Sequence, residues 1–448
     1  MFDEDLLADA LSFDVNVHEA MNPEYGSFGH HMQENNQFAM SAIQLMDAGE
    51  EELEEFQKEA MTMLILHELG HTFGLNHNMQ ASTLHSPEDI HDLELADTVG
   101  LTGSVMDYSS VNVNSDRENQ GRYYDIKPGP YDIWAIEFGY SPALDDPEAE
   151  EARLEEILSR STDPALAFGN DADDMRSPGR GIDPRVMVRD MSSDPVAYGV
   201  ERIELVKSLM DELLEDYGTR EGQSYQELRN AFARLMGQYG GHTDGISRQI
   251  GGVYRERAFI GQDGSTRPFT PVPEDRQREA MSYLSEYLFA PEAFDQSHEV
   301  YNYLQAQRRG FNFFGNSEDP KIHDMVLAMQ RNALNQLLHP NTMKRITDSR
   351  TYGNTYAVAN VVGDLTGAIF DADARGNVNT FRQNLQVEFV TMLTGILGSE
   401  NHDHVAKSAA LYNLEQIHRM MDEKGRVNEE TLAHAAHIQF LIDKAMES

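Results

Sequence analysis

Three histidines and one glutamate lie close together in the segment LHELGHTFGLNHN, residues 66–78. If this segment begins as an α-helix, His67 and His71 lie on one face, separated by about 6 Å of rise. Both imidazoles can then reach one ion, with Glu68 beside it. Three protein nitrogens and one water form a usual catalytic zinc site. These residues therefore predict a hydrolytic metal site in which Glu68 is the general base toward a metal-activated water.

The third histidine, His77, needs a turn in the chain, because it follows His71 by six residues and cannot share the face of a straight helix. Gly74 supplies this turn, since glycine readily adopts the positive φ that reverses the chain. The complete string H-E-x-x-H-x-x-G-x-x-H matches the metzincin pattern of zinc peptidases. A helix that is rich in histidine by coincidence is the alternative, and the length of the match disfavours it. We therefore predict His67, His71 and His77 as ligands of one catalytic Zn²⁺ ion.

The metzincin pattern also includes a methionine in a tight turn, and the segment GSVMDYSS, residues 103–110, offers Met106. Its thioether would form an apolar floor under the imidazoles without binding the metal. The string S-V-M-D-Y resembles the Ser-x-Met-x-Tyr turn of the astacin and serralysin branches. That resemblance implies a catalytic role for Tyr108, as a switchable metal ligand that moves to stabilise the oxyanion; a tyrosine packed with its hydroxyl satisfied is the alternative. Asp107 is either a hydrogen-bond acceptor behind the metal ligands or an exposed side chain.

A wider resemblance extends from about residue 50 to about residue 415. It is carried by the segments HELGHTFGLNHNMQAS, SVMDYSSVN, YDIWAIEFGY, GIDPRVMVRD, RRGFNFFGNSEDPKIHD and FRQNLQVEFV. Together they resemble the met-zincin domain of a bacterial family of large zinc-dependent metalloproteases. The resemblance implies a protein or peptide substrate and an exported protein, because members carry a signal peptide and large regions before the zinc-binding helix. Since only about 65 residues precede His67 here, it also predicts a partial sequence or a start upstream of Met1.

Several elements must position these side chains. Residues 51–73 begin acidic, as suits a helix N-terminus, and become apolar on nearly every face over 61–66, which predicts a helix that enters a core. Residues 78–130 are rich in Ser, Asp, Asn and Gly and predict an irregular, loop-built region. Residues 131–140 resume a short helical pattern and contain the only tryptophan. Only SFDVNVH, residues 12–18, has the pattern of a strand, so we expect the N-terminal sheet of a metzincin to be truncated.

The rest of the chain is helical in pattern, with apolar residues at three- and four-residue spacing. Helical patterns cover 200–218, 224–241, 276–307, 320–339 and 380–446, and a linker or long loop is expected at 261–275. We therefore predict an α+β fold that is predominantly α, with a metzincin-like catalytic unit and a large helical C-terminal region. The predicted parts are a partial metzincin catalytic domain at 1–144, a helical region at 145–262 and a C-terminal helical region at 276–448.

Composition excludes several classes of protein. The 448 residues include 35 Lys and Arg against 76 Asp and Glu, and the net charge of −41 would repel nucleic acid over most of the surface. The absence of cysteine excludes disulfides, thiolate metal sites and cysteine nucleophiles. No apolar run approaches the roughly 18 residues that cross a bilayer, and the first thirty residues lack the features of a signal peptide. Because cysteine is absent, any metal must be bound by nitrogen and oxygen ligands. The sequence does not indicate an oligomeric state.

A second, weaker metal-site hypothesis concerns residues 167–190. Acidic and amide side chains cluster there among glycines, as in structural Ca²⁺ sites, without matching an EF-hand loop. The cluster consists of Asn170, Asp171, Asp173, Asp174 and Asp183. An acidic, solvated loop is the alternative and the stronger interpretation.

Three functions are compatible with the sequence. The first is a zinc-dependent endopeptidase in which Glu68 acts as general base and then as general acid. The second is a catalytically incompetent zinc-binding fragment that serves as a scaffold or interaction module. The small number of residues before His67 motivates this alternative. The third is metal-assisted hydrolysis of another amide, because the same residues could perform that chemistry.

Overall fold

The computed structural model describes residues 27–46, 49–174, 177–294, 299–307 and 318–447. These residues fold predominantly into α-helices with one two-stranded sheet, which confirms the predicted fold class. The strand predicted at 12–18 lies outside the described residues. No helix within the described ranges is long and apolar enough to cross a membrane.

The N-terminal helices frame the predicted metal ligands. In chain order they are α1 (Ser27–Leu45), α2 (Glu50–Thr72), α3 (Leu93–Thr98), α4 (Pro130–Tyr140), α5 (Pro147–Ser159) and the short α6 (Asp171–Asp174). Three glutamates open α2, where carboxylates interact favourably with the positive end of the helix dipole. Proline opens both α4 and α5, because its fixed φ suits the first helical turn. The helices predicted at 51–73 and 131–140 are thus confirmed.

A second set of helices follows. They are α7 (Pro195–Gly218), α8 (Tyr225–Ser247), α9 (Glu274–Leu284), α10 (Ile322–Leu337), α11 (Pro340–Ser349), α12 (Val358–Phe370), α13 (Thr380–Gly398), α14 (His404–Asp422) and α15 (Glu429–Glu447). A π-helical turn, Ser285–Phe289, continues α9. Two of the helices, α11 and α12, lie in a segment for which we predicted no helix.

The sheet consists of two short antiparallel strands, β1 (Val253–Arg255) and β2 (Phe269–Pro271). In the ladder Tyr254 lies opposite Thr270. The linker or long loop predicted at 261–275 is therefore wrong over its last part, where β2 pairs with β1 and α9 begins. A backbone that pairs with a neighbouring strand can be extended despite a high content of proline, which here lies at the edge of a two-stranded sheet.

One continuous apolar core extends through most of the helices. α7 packs along α8, and α1 contacts both of them as well as α2. In the C-terminal part, α13 packs against α10, α14 and α15, and α12 lies against α14. Burial of these apolar faces is the main stabilising contribution to the frame that holds α1 and α2.

α2 is buried on one side only. Phe56, Met63 and His67 are buried, whereas an apolar row on another face has side chains that are 46–57% exposed. The apolar row consists of Met61, Ile65, Leu69 and Phe73. The expectation of a helix that enters the core on nearly every face is therefore wrong for this face. Apolar composition alone does not determine burial, which depends on the elements that pack against each face.

Within the described span between α2 and α4, the chain forms no strand, as predicted for a loop-built region. Short 3₁₀ turns occur at Ala81–Leu84, Asp89–His91 and Arg117–Asn119. Residues 100–114 are nevertheless buried throughout. We call this segment the buried loop; it carries Met106 and Tyr108.

Trp134 connects α4 to α5. Its indole Nε1 donates a hydrogen bond to the carbonyl of Ile157 at 2.7 Å, and its ring packs beside Tyr131. Tyr131 in turn stacks on Phe168, in the segment that precedes α6. These contacts hold α4 against the part of the chain that leads to α6.

Candidate metal centre

α2 ends at the predicted turn. Gly74 has a φ of 84°. The Gly74 N–H donates to the His71 carbonyl at 3.0 Å, and the Leu75 N–H donates to the Gly70 carbonyl at 3.1 Å. This pair of bonds is the Schellman arrangement that closes a helix around a left-handed residue. The prediction that Gly74 reverses the chain is confirmed, and His77 follows directly after this turn.

The structure brings the three predicted ligands together. Their ligand nitrogens all lie within 4.8 Å of one another, and the Nε2 atoms of His71 and His77 are 3.1 Å apart. His67 is buried, His77 is partly buried and His71 is exposed. Among the residues that the structure describes, this is the only group of three or more histidines or carboxylates with such an arrangement.

Each of the three rings has an acceptor at its second nitrogen, Nδ1. The pairs are His67 with the Val105 carbonyl at 2.7 Å, His71 with the Leu75 carbonyl at 3.1 Å, and His77 with Asp171 Oδ2 at 2.6 Å. Because all three partners only accept hydrogen bonds, each Nδ1 carries the proton. In the neutral form of each ring Nε2 therefore keeps its lone pair, which is the tautomer that a metal-binding histidine needs.

The environment of the His67 imidazole indicates whether the histidine cluster is suited to bind a cation. Its Nε2 is buried and has no hydrogen-bond partner among the described residues. Burial lowers the pKa of His67 to about 3, so the ring is neutral near pH 7. Buried polar atoms without a partner are rare in proteins, and a bound cation would satisfy this one. Three neutral imidazoles are also a donor set that suits Zn²⁺, so the residues fit the predicted ion.

Met106 lies against the turn of α2 that separates His67 from His71. Its side chain is fully buried, and a Cβ placed on Gly70 would overlap the Met106 sulfur. The Met106 carbonyl accepts a hydrogen bond from the Asn78 N–H at 2.9 Å, next to His77. Gly70 is therefore needed for the close approach of the buried loop to α2. This position agrees with the predicted apolar floor, which stays a prediction.

Tyr108 lies beside the third histidine. Its hydroxyl is 3.2 Å from Nε2 of His77 and donates to it, since the proton of that ring is on Nδ1. The tyrosine ring is buried and packs against His77, with ring centroids 4.8 Å apart. The hydroxyl is thus satisfied in this state and is also close to the predicted metal position, so both interpretations of Tyr108 stay open.

α1 covers one side of the centre, which the sequence did not indicate. The Phe28 ring stacks on the His67 imidazole with a centroid distance of 3.5 Å and an interplanar angle of 7°. His31, one turn further along α1, is buried and its Nε2 contacts the Ser109 carbonyl at 2.8 Å. Residues this far from the metal-binding segment carry no spacing signal that could have identified them.

Two buried carboxylates hold the buried loop in place. Asp132, on α4, accepts hydrogen bonds from the Val105 N–H at 2.9 Å and the Ser104 hydroxyl at 2.5 Å. Asp125 accepts from the backbone N–H groups of Leu101 and Thr102. Burial raises the pKa of Asp132, and it raises the pKa of Asp125 to about 6. The Val105 carbonyl that fixes His67 is therefore itself positioned by a carboxylate.

Asp107, within the buried loop, and Asp190 form a buried acidic pair that shares Ser82 as a hydrogen-bond donor. Asp107 Oδ2 accepts from the Ser82 N–H at 2.7 Å, and Asp190 Oδ2 accepts from the Ser82 hydroxyl at 3.1 Å. Asp107 is therefore a buried acceptor, and the alternative of an exposed side chain is wrong. Burial raises the pKa of both carboxyls, and that of Asp190 reaches about 8.

The acidic cluster at 170–183 is neither a solvated loop nor a group arranged around calcium. Three of its carboxylates are buried and pair with arginines, which gives no support for a Ca²⁺ site. The pairs are Asp173 with Arg255 and Arg257, Asp174 with Arg248, and Asp183 with Arg185. Asp171 points to a different partner, His77. Arg185 lies two positions after Asp183 in the sequence, but the arginines that pair with Asp173 and Asp174 lie more than 70 positions away and were not identifiable as their partners.

Glu68 is exposed on α2, directly after the buried His67. Its side chain is therefore accessible to water. This position suits the predicted general base, a role that stays a prediction.

Comparison with known proteins identifies one family that matches the chain. No curated protein and no solved structure shows significant similarity to the chain. A model of the Met-zincin family matches residues 49–377, well over half of the chain. The match begins just before α2, includes the three histidines and the buried loop, and ends after α12. The chain therefore belongs to the Met-zincin family, whose domain is of the metzincin metalloprotease type.

Proposed function

We propose that this protein is a zinc-dependent endopeptidase. The observation that carries the proposal is the convergence of three Nε2 atoms whose Nδ1 partners fix the metal-binding tautomer. Membership of the Met-zincin family supports the same class of activity. The net charge of −41 favours a protein or peptide substrate over nucleic acid. Export, which the family resemblance implies, stays a prediction.

In the proposed reaction His67, His71 and His77 hold the ion through Nε2. When bound, zinc supplies a Lewis acid that lowers the pKa of water and polarises the scissile carbonyl. Glu68 takes the proton that the attacking water loses and delivers it to the leaving nitrogen. Its exposure and its place beside His67 on α2 support this role.

Tyr108 and Met106 have supporting roles in this proposal. The Tyr108 hydroxyl, which lies 3.2 Å from Nε2 of His77, would be released from that nitrogen if it held the ion, and it could then donate to the substrate carbonyl oxygen as negative charge develops there. Met106 packs against Gly70 and keeps the space under the imidazoles apolar.

Zinc content tests the ligands. Purified protein is expected to contain about one zinc per chain, and His71→Ala is expected to remove it, because two imidazoles leave the ion short of protein ligands. His437→Ala, at an exposed histidine of α15, is the matched control and should retain the metal. Full zinc content in His71→Ala would contradict the ligand assignment.

Cleavage of a denatured protein tests Glu68. Glu68→Gln should keep zinc and lose cleavage by about 100-fold or more, because the amide cannot accept the proton. Glu51→Gln, at an exposed glutamate of the same helix, should leave the rate unchanged. If the wild-type protein binds zinc but cleaves neither the protein nor simple amides, the scaffold alternative replaces the endopeptidase.

A further inference from the structure

The contact between His77 and Asp171 differs from the other contacts of the metal centre. His67 and His71 are held by backbone carbonyls, whereas Nδ1 of His77 donates to a carboxylate oxygen at 2.6 Å. A hydrogen bond to a charged acceptor is shorter and roughly twice as strong as one to a neutral acceptor. His77 is therefore the ring whose orientation depends most on a side chain.

His77 also needs more support than the other two histidines. His67 and His71 lie on α2, whose backbone sets their positions, but His77 lies after the turn at Gly74 in a segment without helix or strand. This segment docks on residues 167–170: the Asn78 side chain donates to the Ala167 carbonyl at 2.9 Å and accepts from the Gly169 N–H at 3.1 Å. Asp171 follows directly on the docking segment.

α6 is anchored so that Asp171 stays in place. Asp173 pairs with Arg255 at 2.7 Å, and the fully buried Asp174 pairs with Arg248 at 2.7 Å. Arg255 belongs to β1, and Arg248 follows the end of α8. Arginine pairs on two separate elements thus fix the four-residue helix. The acidic cluster consequently forms an anchored support that presents Asp171 to His77.

We propose that Asp171 is a positioning residue for the metal: it fixes the orientation and the Nδ1–H tautomer of His77 and thereby increases the affinity of the centre for Zn²⁺. The proposal rests on the proposed function, since it assumes that the three histidines bind zinc. Loss of a group that orients a metal-bound histidine typically lowers metal affinity about 10- to 100-fold.

The test is the Zn²⁺ dissociation constant, measured by competition with a chromophoric chelator at one fixed pH. Asp171→Ala should bind zinc about 10- to 100-fold more weakly than the wild-type protein. Asp171→Asn should lose less, because its amide oxygen can still accept the Nδ1–H bond without the charge. Asp145→Ala is the control: it removes one exposed negative charge and should bind zinc like the wild type.

A second measurement separates positioning from general stabilisation. The unfolding midpoint of each zinc-free variant is recorded alongside, because a carboxylate with only a structural role would lower this midpoint and leave zinc affinity unchanged. Zinc binding by Asp171→Ala within threefold of the wild type would overturn the inference while the three-histidine site stands. A wild-type protein that binds no zinc would overturn both the inference and the proposed function.

Discussion

The buried loop, residues 100–114, and the C-terminal helix α13 both lie inside the protein, yet their backbone groups are satisfied differently. In α13 the backbone bonds within the helix, and the buried side chains, such as Leu385 and Phe389, are mostly apolar, with Arg382 and Gln386 as the exceptions. In the buried loop the carboxylates of Asp125 and Asp132 accept hydrogen bonds from backbone N–H groups. The backbone of α13 is satisfied by the repeating hydrogen bonds of a helix, whereas the backbone of the buried loop depends on individual side chains.

The difference shows how an irregular segment can position catalytic groups. A buried backbone group without a partner is strongly destabilising, so a loop can be buried only if specific acceptors lie at specific places. Those acceptors also determine where the loop sits, and Asp132 thereby places Val105 against His67. Substitution of a single polar residue should consequently have a larger effect around the loop than at the end of a C-terminal helix, where the backbone bonds within the helix remain.

The largest expected effect comes from removing the Asp132 carboxylate. Asp132→Ala should lower the free energy of unfolding by about 3 kcal/mol, because three donors lose their acceptor inside the protein. The matched substitution in the helical region is Asp403→Ala, which removes the cap of α14 and should lower stability by about 1 kcal/mol. Urea denaturation followed by circular dichroism measures both; equal losses would contradict the proposed difference between the regions.

Effects of intermediate size on stability are expected when alanine replaces either of two helical glycines, Gly70 and Gly395. Gly70→Ala should destabilise the protein by about 2 kcal/mol, because the new methyl group overlaps the Met106 sulfur. Gly395→Ala, on an exposed face of α13 with open space around it, should stabilise by up to about 1 kcal/mol through helix propensity. The same denaturation experiment measures the pair, and a stabilising Gly70→Ala would show that Met106 can move without loss.

The last expected effect is a change in the pH dependence of stability, at Asp190. Burial raises its pKa to about 8, above the value of about 3.9 in an unfolded chain. The stability that this carboxyl contributes is present below about pH 4 and is lost as pH rises toward 8. Asp190→Asn keeps an acceptor for the Ser82 hydroxyl and cannot ionise. Relative to the wild type, it should therefore gain stability as pH rises from 5 to 8, because only the wild type loses the contribution of a protonated carboxyl over this range.

Urea denaturation of both proteins at the two pH values measures this gain. A stability difference between Asp190→Asn and the wild type that is the same at both pH values would show that Asp190 does not ionise against a penalty from burial.

Local chemistry was predictable from the sequence. The two histidines one turn apart, the helix stop at Gly74 and the return to His77 depend on residues within one short segment, and the structure contains all three features. The predominantly helical fold was predictable for a similar reason, because the spacing of apolar residues is a local signal. The roles of Glu68, Met106 and Tyr108, and the three-part division of the chain, stay predictions.

Contacts between distant segments were not predictable. Asp171 lies 94 positions from His77, and from the sequence alone the acidic residues were interpreted as a solvated loop, with a calcium site as the weaker hypothesis. Their assignment required Arg248 and Arg255, which the fold brings near. The exposed apolar row on α2 has the same explanation, since the sequence of one helix does not say which of its faces another element will cover.

The fluorescence of Trp134 reports on the region around the buried loop separately from the helices of the C-terminal part. As the only tryptophan, it provides all of the emission excited at 295 nm, and it lies on α4, two residues from the carboxylate that holds the buried loop. Circular dichroism at 222 nm, by contrast, is dominated by the many helices outside this region. Emission and dichroism therefore report on different parts of one chain, and their curves in urea coincide only if the metal centre and the helical frame unfold in a single transition.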